Sequence, residues 1–364
     1  MKYFLIAGEA SGDLHGARIM KSILKQDAAA QFRFWGGDQM QSVAPGLITH
    51  YKANAIMGFV EVLMSLKKVL NNLKHCKSEI LKFQPDVVIF IDYPGFNLRM
   101  AEFAKKNGFK TVYFIAPKVW AWKENRAKKL EKYIDLLLII FPFEIEYFKK
   151  WKVNTKYIGN PLLDEVADFR AANPYQKGDE KPILALLPGS RRQEIKLMLP
   201  IMLQTAAKLN QFRVLICGAP GLEYKDYEPY LKEDVNLEFG KTYSILARSE
   251  AAIVCSGTAS LETALLNVPQ VCAYKASPIS IAIGRLLVKA KYMSLVNLNL
   301  GRLAVPELLQ EVFTEERILS ELKAVLPGGK DHEKLMNDYA ELRQLFGEHG
   351  ADTRAAQEII QLIS

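Results

Sequence analysis

The chain has 364 residues, of which 49% are hydrophobic and 24% are charged, and its formal net charge is +8 at pH 7. This length is too great for one typical hydrophobic core, and the composition is that of an ordinary soluble globular protein, so we expect two domains. No apolar run reaches the about 20 residues that span a bilayer, and no motif of a nucleic-acid-binding domain is present; the positive charge therefore favours an anionic membrane surface or phosphorylated substrates.

The first half of the chain alternates predicted strands with predicted amphipathic helices. Its opening apolar run passes into a loop of Gly, Ser and Asp residues, which indicates a first strand rather than a signal peptide. Alternation of this kind is typical of a doubly wound parallel sheet. The predicted strands are 2–7, 32–36, 86–91, 111–116 and 134–140, and the predicted helices lie near 13–25, 59–83, 99–107 and 123–132.

The same alternation restarts after residues 162–181, a polar and broken segment that we interpret as an inter-domain linker. Two successive sheets predict an α/β protein with two Rossmann-like domains that face a cleft, an N-terminal one over 1–165 and a C-terminal one over 166–344. The tail lacks strand patterns, and we expect its last helix, about 345–364, to pack back on the first domain. The second set of predicted strands is 183–187, 212–217, 235–239, 251–255 and 270–274.

The four cysteines, Cys76, Cys217, Cys255 and Cys272, show no CxxC spacing. Three of them lie in apolar, strand-like contexts, so we expect reduced core thiols and a cytoplasmic protein. No DxD pair follows a predicted strand, and no His/Cys cluster has the spacing of metal ligands. The sequence therefore predicts chemistry without a metal or a cofactor.

Asp92 follows the predicted strand 86–91 and precedes Tyr93 and Pro94, where a central strand cannot continue. In an open α/β sheet, ligands bind where the parallel strands end, so a carboxylate at this place is suited to act as a general base. The alternative is that Asp92 caps the helix that follows.

The loop after the first predicted strand holds Glu9, Ser11 and Asp13 among glycines spaced four residues apart. This spacing is neither the dinucleotide fingerprint nor a P-loop. Two carboxylates would repel a pyrophosphate, whereas they suit the recognition of sugar hydroxyls. For Asp13 we favour the alternative of a residue in the first turn of a helix, where the macrodipole stabilises an anion.

The second half has a strand-to-helix loop at Ser190 and Arg191. Backbone N–H groups at the start of a helix form an anion site, and an arginine added there matches a phosphate bidentately. The alternative is that Arg191 or its neighbour Arg192 is an ordinary surface residue.

A second loop of this type contains Ser256, Gly257 and Thr258, whose small side chains allow close approach to phosphate oxygens. Glu262 lies one helical turn further and could accept hydrogen bonds from ribose hydroxyls. The alternative is an ordinary N-cap at Ser256 or Thr258. Two such loops in one sheet together favour a site for a nucleoside diphosphate.

Two amphipathic stretches, 56–83 and 279–293, combine an apolar face with basic side chains. Packing against a core is the usual explanation of this pattern, and docking at a membrane interface is the alternative. Trp120 and Trp122 follow a further predicted strand, and we expect one of them to line the cleft.

These segments together resemble the lipid-A-disaccharide synthases, in order and over nearly the whole chain. The resemblance implies a GT-B glycosyltransferase fold. It also implies the transfer, with inversion, of 2,3-diacylglucosamine from UDP to the 6-hydroxyl of 2,3-diacylglucosamine 1-phosphate (lipid X), with release of UDP. It further implies peripheral association with the anionic cytoplasmic face of the inner membrane. The matching runs are 7–13, 57–63, 91–97, 117–122, 186–191, 256–262 and 297–310.

The resemblance and the residue patterns together give the following expected roles. Asp92 is the catalytic base, and Gly95 and Lys118 depart from the family pattern, which often has Asp and Ser at these places. The expected donor or UDP-binding residues are Ser190, Arg191, Ser256, Gly257, Thr258, Glu262, Asn297 and Gln310. The expected acceptor or cleft residues are Glu9, Ser11, Met57, Glu61 and Trp120.

Two other functions stay open. The chain could be another GT-B enzyme that uses UDP-GlcNAc, either an epimerase or a lipid II-type transferase, or it could be a nucleotide-binding peripheral membrane module without turnover. A requirement for acyl chains on the substrates would distinguish a lipid-A-disaccharide synthase from the first alternative. Release of UDP from a diacylated donor would distinguish it from the second. The sequence carries no signal for an oligomeric state.

Overall fold

The computed structural model describes residues 1–54, 62–117, 119, 125–174, 181–231, 235–277 and 291–364. The chain divides into two compact units. Unit 1 comprises residues 1–161 and 349–364, and unit 2 comprises residues 162–348. The last segment of the chain therefore belongs to the unit formed by the first part of the sequence.

Unit 1 contains a seven-stranded sheet in the order β3-β2-β1-β4-β5-β6-β7, and all of its strand pairs are parallel. The chain winds outward in one direction from β1 and in the other from β4, so the topological switch point lies between these two strands. The strands are β1 (Lys2–Ala7), β2 (Gln31–Gly36), β3 (Leu47–His50), β4 (Val87–Ile91), β5 (Lys110–Phe114), β6 (Leu136–Ile139) and β7 (Thr155–Tyr157).

Helices cover both faces of this sheet, which explains why β4, with the sequence VVIFI, is buried along its whole length. On one face, α1 packs beside the C-terminal helix Ala351–Ile363, and the buried Met20 and Ile359 belong to the same core cluster. The opposite face is covered by α3, α4 and α5. The helices of unit 1 are α1 (Ala10–Leu24), α2 (Asp38–Val43), α3 (Val62–Phe83), α4 (Pro94–Lys106), α5 (Asn125–Tyr133), α6 (Phe143–Lys149) and Ala351–Ile363.

Unit 2 repeats this architecture with a six-stranded parallel sheet in the order β10-β9-β8-β11-β12-β13. Its switch point lies between β8 and β11. The strands are β8 (Ile183–Leu187), β9 (Arg213–Gly218), β10 (Asn236–Phe239), β11 (Ser249–Cys255), β12 (Gln270–Tyr274) and β13 (Glu307–Leu309). The helices are α7 (Pro161–Ala172), α8 (Arg192–Ala206), α9 (Tyr224–Tyr227), α10 (Thr242–Leu246), α11 (Thr258–Leu265), α12 (Leu295–Leu300), α13 (Glu315–Val325) and α14 (His332–Phe346).

The prediction of a linker over 162–181 was wrong for its first half, because α7 extends to Ala172. Leu162, Leu163 and Val166 are buried and anchor this helix, and Pro161 occupies its first position, where a missing N–H group costs nothing. Residues 175–180 lie outside the described part of the chain.

The segment 56–83 combines core packing with exposure. The structure describes α3 from Val62; Leu73, Cys76 and Ile80 are buried, whereas the side chain of Leu70 is 57% exposed. Most of the predicted segment 279–293 lies outside the described residues, which resume at 291. Among the helices described, none is long and apolar enough to cross a membrane. All four cysteines are buried free thiols.

Candidate functional site

The loops after β1 and β4 meet at the switch point of unit 1. Because these strands pair in register up to Ala7 and Ile91, Gly8 and Asp92 follow at the same edge of the sheet. The ring of Tyr93 fills the space where a side chain on Gly8 would lie. This close approach ties the two loops together.

Asp92 is exposed and its backbone has an unusual conformation. Its φ of 43° and the φ of 49° at Tyr93 both lie in the left-handed region, which is strained for side-chain-bearing residues. The N-cap residue of α4 is Tyr93, and its side chain makes no capping hydrogen bond. The segment presents the Asp92 carboxylate at the edge of the sheet.

Two buried side chains hold the Asp92 backbone. The Asn97 amide donates to the carbonyl oxygens of Ile6, Ile91 and Asp92 at 3.3, 3.2 and 2.7 Å. The Tyr113 hydroxyl donates to the Asp92 carbonyl oxygen at 2.6 Å. The sequence analysis gave neither residue a role; for Tyr113 no local signal exists, because it comes from the next strand.

Glu9 and Ser11 are exposed at the start of α1, where Glu9 is the N-cap residue without a side-chain capping bond. Burial, reinforced by the charge of Glu9, raises the pKa of the Tyr93 hydroxyl. Glu9 therefore lies near the loop that contains Asp92. This agrees with its predicted position in the loop after β1.

Asp13 has a structural role at the start of a neighbouring helix. It is buried in the first turn of α1, and its carboxylate accepts hydrogen bonds from the backbone N–H groups of Gly37, Gln39 and Met40 at 2.7, 3.0 and 3.1 Å. It thus caps the neighbouring helix α2, where the macrodipole favours an anion. A Cβ on Gly37 would lie 2.7 Å from Asp13 Oδ2, so this close approach requires glycine.

Met57, Glu61 and Trp120 lie outside the described residues, as does Lys118. Their predicted places on the acceptor side stay predictions. Gly95 is exposed at the start of α4, and a Cβ there would meet nothing within 4 Å. Because this chain has glycine where the family often has Asp, the space beside position 95 is open.

In unit 2, the loop after β8 brings backbone donors together as predicted, but Glu194 occupies them. Its Oε2 atom accepts from the N–H groups of Ser190 and Arg191 at 2.8 and 3.2 Å. Gly189, at a φ of 115°, allows this because a Cβ there would lie 2.7 Å from Glu194 Cβ. A phosphate at these two N–H groups would have to displace the Glu194 carboxylate.

The two adjacent arginines have different surroundings. Arg192 Nε bonds the largely buried Asp226 at 2.8 Å, which anchors α8 to the N-terminal turn of α9. The side chain of Arg191 is 76% exposed, with a contact of 3.4 Å to Glu194. Arg191 is therefore the arginine that is available to a ligand at this edge.

The loop after β11 lies beside the loop after β8, because these strands pair across the switch point. Gly257 adopts a φ of 152°, which favours glycine, and Thr258 is exposed at the start of α11. The Ser256 hydroxyl donates its proton to the Met293 carbonyl oxygen at 2.6 Å. Its oxygen can still accept a hydrogen bond from a ligand.

Glu262 lies on α11 as predicted, within the same edge region. Burial raises the pKa of its carboxyl group, a hydrogen bond from Tyr243 opposes that rise, and the charge of Glu165 adds to it. The sequence analysis missed Tyr243 and Glu165, because their proximity to Glu262 depends on how α7 and α10 pack.

Asn297 is fully buried and all four of its hydrogen-bonding positions are used. Its Nδ2 donates to the Val305 carbonyl oxygen and to Glu307 at 2.9 and 2.7 Å, and its Oδ1 accepts from the N–H groups of Ala304 and Val305 at 2.7 and 2.8 Å. Glu307 also accepts from the N–H groups of Met293 and Ser294. A direct contact between Asn297 and a nucleotide would have to replace one of these bonds.

Gln310 has a left-handed φ of 57° directly after β13, and its Oε1 accepts from the Ala276 N–H group at 3.3 Å. It lines a cavity of about 520 Å³ at the carboxyl ends of β12 and β13, a volume within the range of small-molecule sites. Lys196, Leu197 and Phe313 also line this cavity. In the described residues, no group of three or more His, Cys, Asp or Glu side chains could hold a metal ion.

Comparisons with known proteins give one consistent family. Residues 3–361 match the family model described as lipid-A-disaccharide synthetase. The chain is 34% identical to a lipid-A-disaccharide synthase of Myxococcus xanthus, over 100% of this chain and 97% of that protein. It is 33% identical to one of Coxiella burnetii, over 99% of this chain and 98% of that protein.

Solved structures show the same fold at low identity. The glycotransferase of kitacinnamycin matches with a TM-score of 0.66 and 12% identity over 99% of this chain and 98% of that one. The UDP-GlcNAc 2-epimerase of Neisseria meningitidis, bound to UDP-GlcNAc, matches with a TM-score of 0.64 and 14% identity over 100% and 99%. The chain therefore has the GT-B fold that its sequence predicts.

Proposed function

Because the chain belongs to the lipid-A-disaccharide synthase family, we propose that it transfers 2,3-diacylglucosamine from UDP to the 6-hydroxyl of 2,3-diacylglucosamine 1-phosphate. The product is the lipid A disaccharide 1-phosphate, and UDP leaves. It is an inverting glycosyltransferase, and its reaction needs a base for the hydroxyl proton and positive charge for the departing diphosphate.

The observation that carries the proposal is the exposed carboxylate of Asp92, presented at the switch point of unit 1 by a strained backbone that Asn97 and Tyr113 hold in place. In the reaction, the 6-hydroxyl oxygen forms the new bond to the anomeric carbon as the bond from that carbon to the UDP oxygen breaks. Asp92 accepts the hydroxyl proton. Fixing the backbone of a base in advance avoids a cost of reorganisation during the reaction.

The donor site belongs to unit 2. Arg191 and the Gly257–Thr258 backbone stabilise the diphosphate, with Ser190 joining them when Glu194 is displaced, and Glu262 accepts from the ribose hydroxyls. Ser256 and Gln310 lie at the same edge, and Asn297 acts by holding Glu307 and the 304–305 backbone. The acceptor side includes Glu9, Ser11, Met57, Glu61 and Trp120. No metal or cofactor takes part.

We place the protein in the cytoplasm, at the anionic surface of the inner membrane, where diacylated substrates reside. The net charge of +8 and the exposed Leu70 on α3 support this. Binding to anionic liposomes that weakens as salt rises is the expected behaviour, and salt-independent or absent binding would contradict it.

The test is an assay of purified protein with UDP-2,3-diacylglucosamine and 2,3-diacylglucosamine 1-phosphate, in the presence and absence of EDTA. We expect a disaccharide 1-phosphate and equimolar UDP in both cases. Turnover of UDP-GlcNAc without an acyl requirement would support the epimerase or lipid II-type alternative. UDP binding without turnover would support a nucleotide-binding module, and activity restored after EDTA only by Mg²⁺ or Mn²⁺ would contradict metal-free chemistry.

A further inference from the structure

Behind Glu262 lies a second carboxylate, and a tyrosine connects the two. The Tyr243 hydroxyl, on α10, donates to Glu165 Oε2 on α7 at 3.4 Å. The carboxylate of Glu262 on α11 lies close enough to the same hydroxyl for each group to shift the pKa of the other. Three helices of unit 2 therefore meet at one phenol group.

The position of Tyr243 is fixed from α7. The ring of Phe169 packs edge-on against the Tyr243 ring, with 5.5 Å between centroids and 86° between planes. One residue further, Arg170 Nη2 donates to the Leu265 carbonyl oxygen at the end of α11, at 3.2 Å. Helix α7 thus contacts both Tyr243 and α11, the helix that contains Glu262.

The hydrogen-bonding capacity of this cluster is limited. A tyrosine hydroxyl has one proton and can donate it to only one carboxylate at a time. Burial and the neighbouring charges of Glu262 and Glu165 raise the pKa of Tyr243, so the phenol stays protonated. When a nucleotide binds, its ribose hydroxyls would donate hydrogen bonds to Glu262. The Tyr243 hydroxyl can then donate its single proton to Glu165.

From this geometry, and resting on the donor role of Glu262 proposed above, we infer that Tyr243 is a positioning residue for the donor nucleotide. It orients the Glu262 carboxylate toward the ribose hydroxyls, and Glu165 in turn holds Tyr243. Neither residue needs to touch the nucleotide, because their effect passes through Glu262.

The arrangement also makes nucleotide binding sensitive to acid. Among the described residues, Tyr243 on α10 and Glu165 on α7 shift the pKa of Glu262, and Cys217 at the end of β9 is close enough to feel the charge of Glu262. Burial, and beside it the charges of Glu238 and Glu262, raises the pKa of the Cys217 thiol to about 12, so this thiol stays neutral. Binding should weaken as pH falls through the raised pKa of Glu262, because a protonated carboxyl accepts fewer hydrogen bonds.

The experiment is calorimetric titration of the full chain with UDP between pH 5 and 8. Tyr243→Phe keeps the ring and the contact with Phe169 but removes the hydroxyl, and we expect UDP affinity to fall about tenfold, as for the loss of one charge-assisted hydrogen bond. The matched control is Tyr224→Phe, which removes the hydroxyl of a tyrosine that is 57% exposed on α9 and should leave affinity unchanged.

Glu165→Gln is the second variant, and it keeps a hydrogen-bond acceptor for Tyr243 while removing the charge. Because that charge raises the pKa of Glu262, we expect the acid-side loss of UDP affinity to move to lower pH. This shift is a readout that a purely structural role would not produce. If Tyr243→Phe lowers the melting temperature by more than a few degrees, its UDP affinity is no longer informative, and the pH profile of Glu165→Gln becomes the deciding measurement.

Wild-type affinity in Tyr243→Phe, or an unshifted pH profile in Glu165→Gln, would overturn the inference and leave the proposed function standing. Failure of the wild-type chain to bind UDP would instead contradict the proposed function itself.

Discussion

The ring of Tyr93 occupies the space that a side chain on Gly8 would need, and the three atoms closest to that place all belong to this ring. Gly8 directly follows β1, and Tyr93 follows Asp92 in the loop after β4. The position of the Asp92 carboxylate therefore depends on a residue that is distant in sequence and has no side chain of its own.

Gly8→Ala should force the Tyr93 ring to move and displace Asp92 with it. We expect kcat to fall by at least about tenfold, because small displacements of reacting groups are costly. A steady-state assay checks this, with Gly95→Ala as the matched control, since a Cβ at Gly95 meets nothing within 4 Å. Equal activity of the two variants would show that the contact does not position the base.

Arg191→Ala should lower catalytic efficiency, whereas Arg192→Ala should affect only the stability of the fold. Arg191→Ala removes an exposed cation at the donor edge, and we expect kcat/KM to fall by about 10²-fold with an unchanged melting temperature. Arg192→Ala breaks the ion pair with Asp226, which at an exposed site changes stability by no more than about 1 kcal/mol and should leave kcat/KM near the wild-type value. Kinetics and thermal melts on both variants check this; reversed sensitivities would exchange the two roles.

Several parts of this structure could be predicted from the sequence, because their signals are local. Uninterrupted apolar runs such as VVIFI in β4 identify strands buried on both faces, and the loop after each one locates the carboxyl edge. The predicted edge position of Asp92 was correct for that reason.

Other parts depend on contacts between distant residues. The sequence analysis missed β3, β7 and β13, which have four, three and three residues and are only partly buried or lie at sheet edges. The role of Asp13 as the cap of α2 could not be predicted, because its partners come from 24 to 27 residues later in the chain.

Asn297→Ala should destabilise unit 2 without touching the ligand site directly. The change removes one bond each from the Glu307 carboxylate and the Ala304 N–H group and both bonds between Asn297 and the Val305 backbone, and an unsatisfied buried group costs about 1–3 kcal/mol. Urea denaturation checks this, with Ser256→Ala, which loses one bond to the Met293 carbonyl oxygen, for comparison. A normal urea midpoint together with lost UDP binding would show that Asn297 contacts the nucleotide after all.

His15 should make the stability of unit 1 sensitive to acid. Burial, with a smaller effect of Arg18, lowers its pKa from 6.5 to about 4, and its Nδ1 atom is buried without a partner. Between these two pH values the unfolded chain binds a proton that the folded chain excludes, so stability falls as pH drops from about 6.5 to about 4.

Urea midpoints for wild type and His15→Leu at pH 7 and pH 4.5 test this. The variant lacks the titrating group, so its midpoint should fall less between the two pH values than the wild-type midpoint does. Equal losses in both proteins would assign the acid sensitivity to other groups.

The central claim is that Asp92 is the catalytic base, and Asp92→Asn tests it most directly, because the amide keeps the shape of the carboxylate and cannot accept the proton. The measurement is single-turnover disaccharide formation at saturating substrates, alongside UDP affinity and the melting temperature. We predict that the rate falls by about 10²–10⁴-fold while UDP affinity and melting temperature stay at wild-type values. A near-wild-type rate in Asp92→Asn would contradict the account.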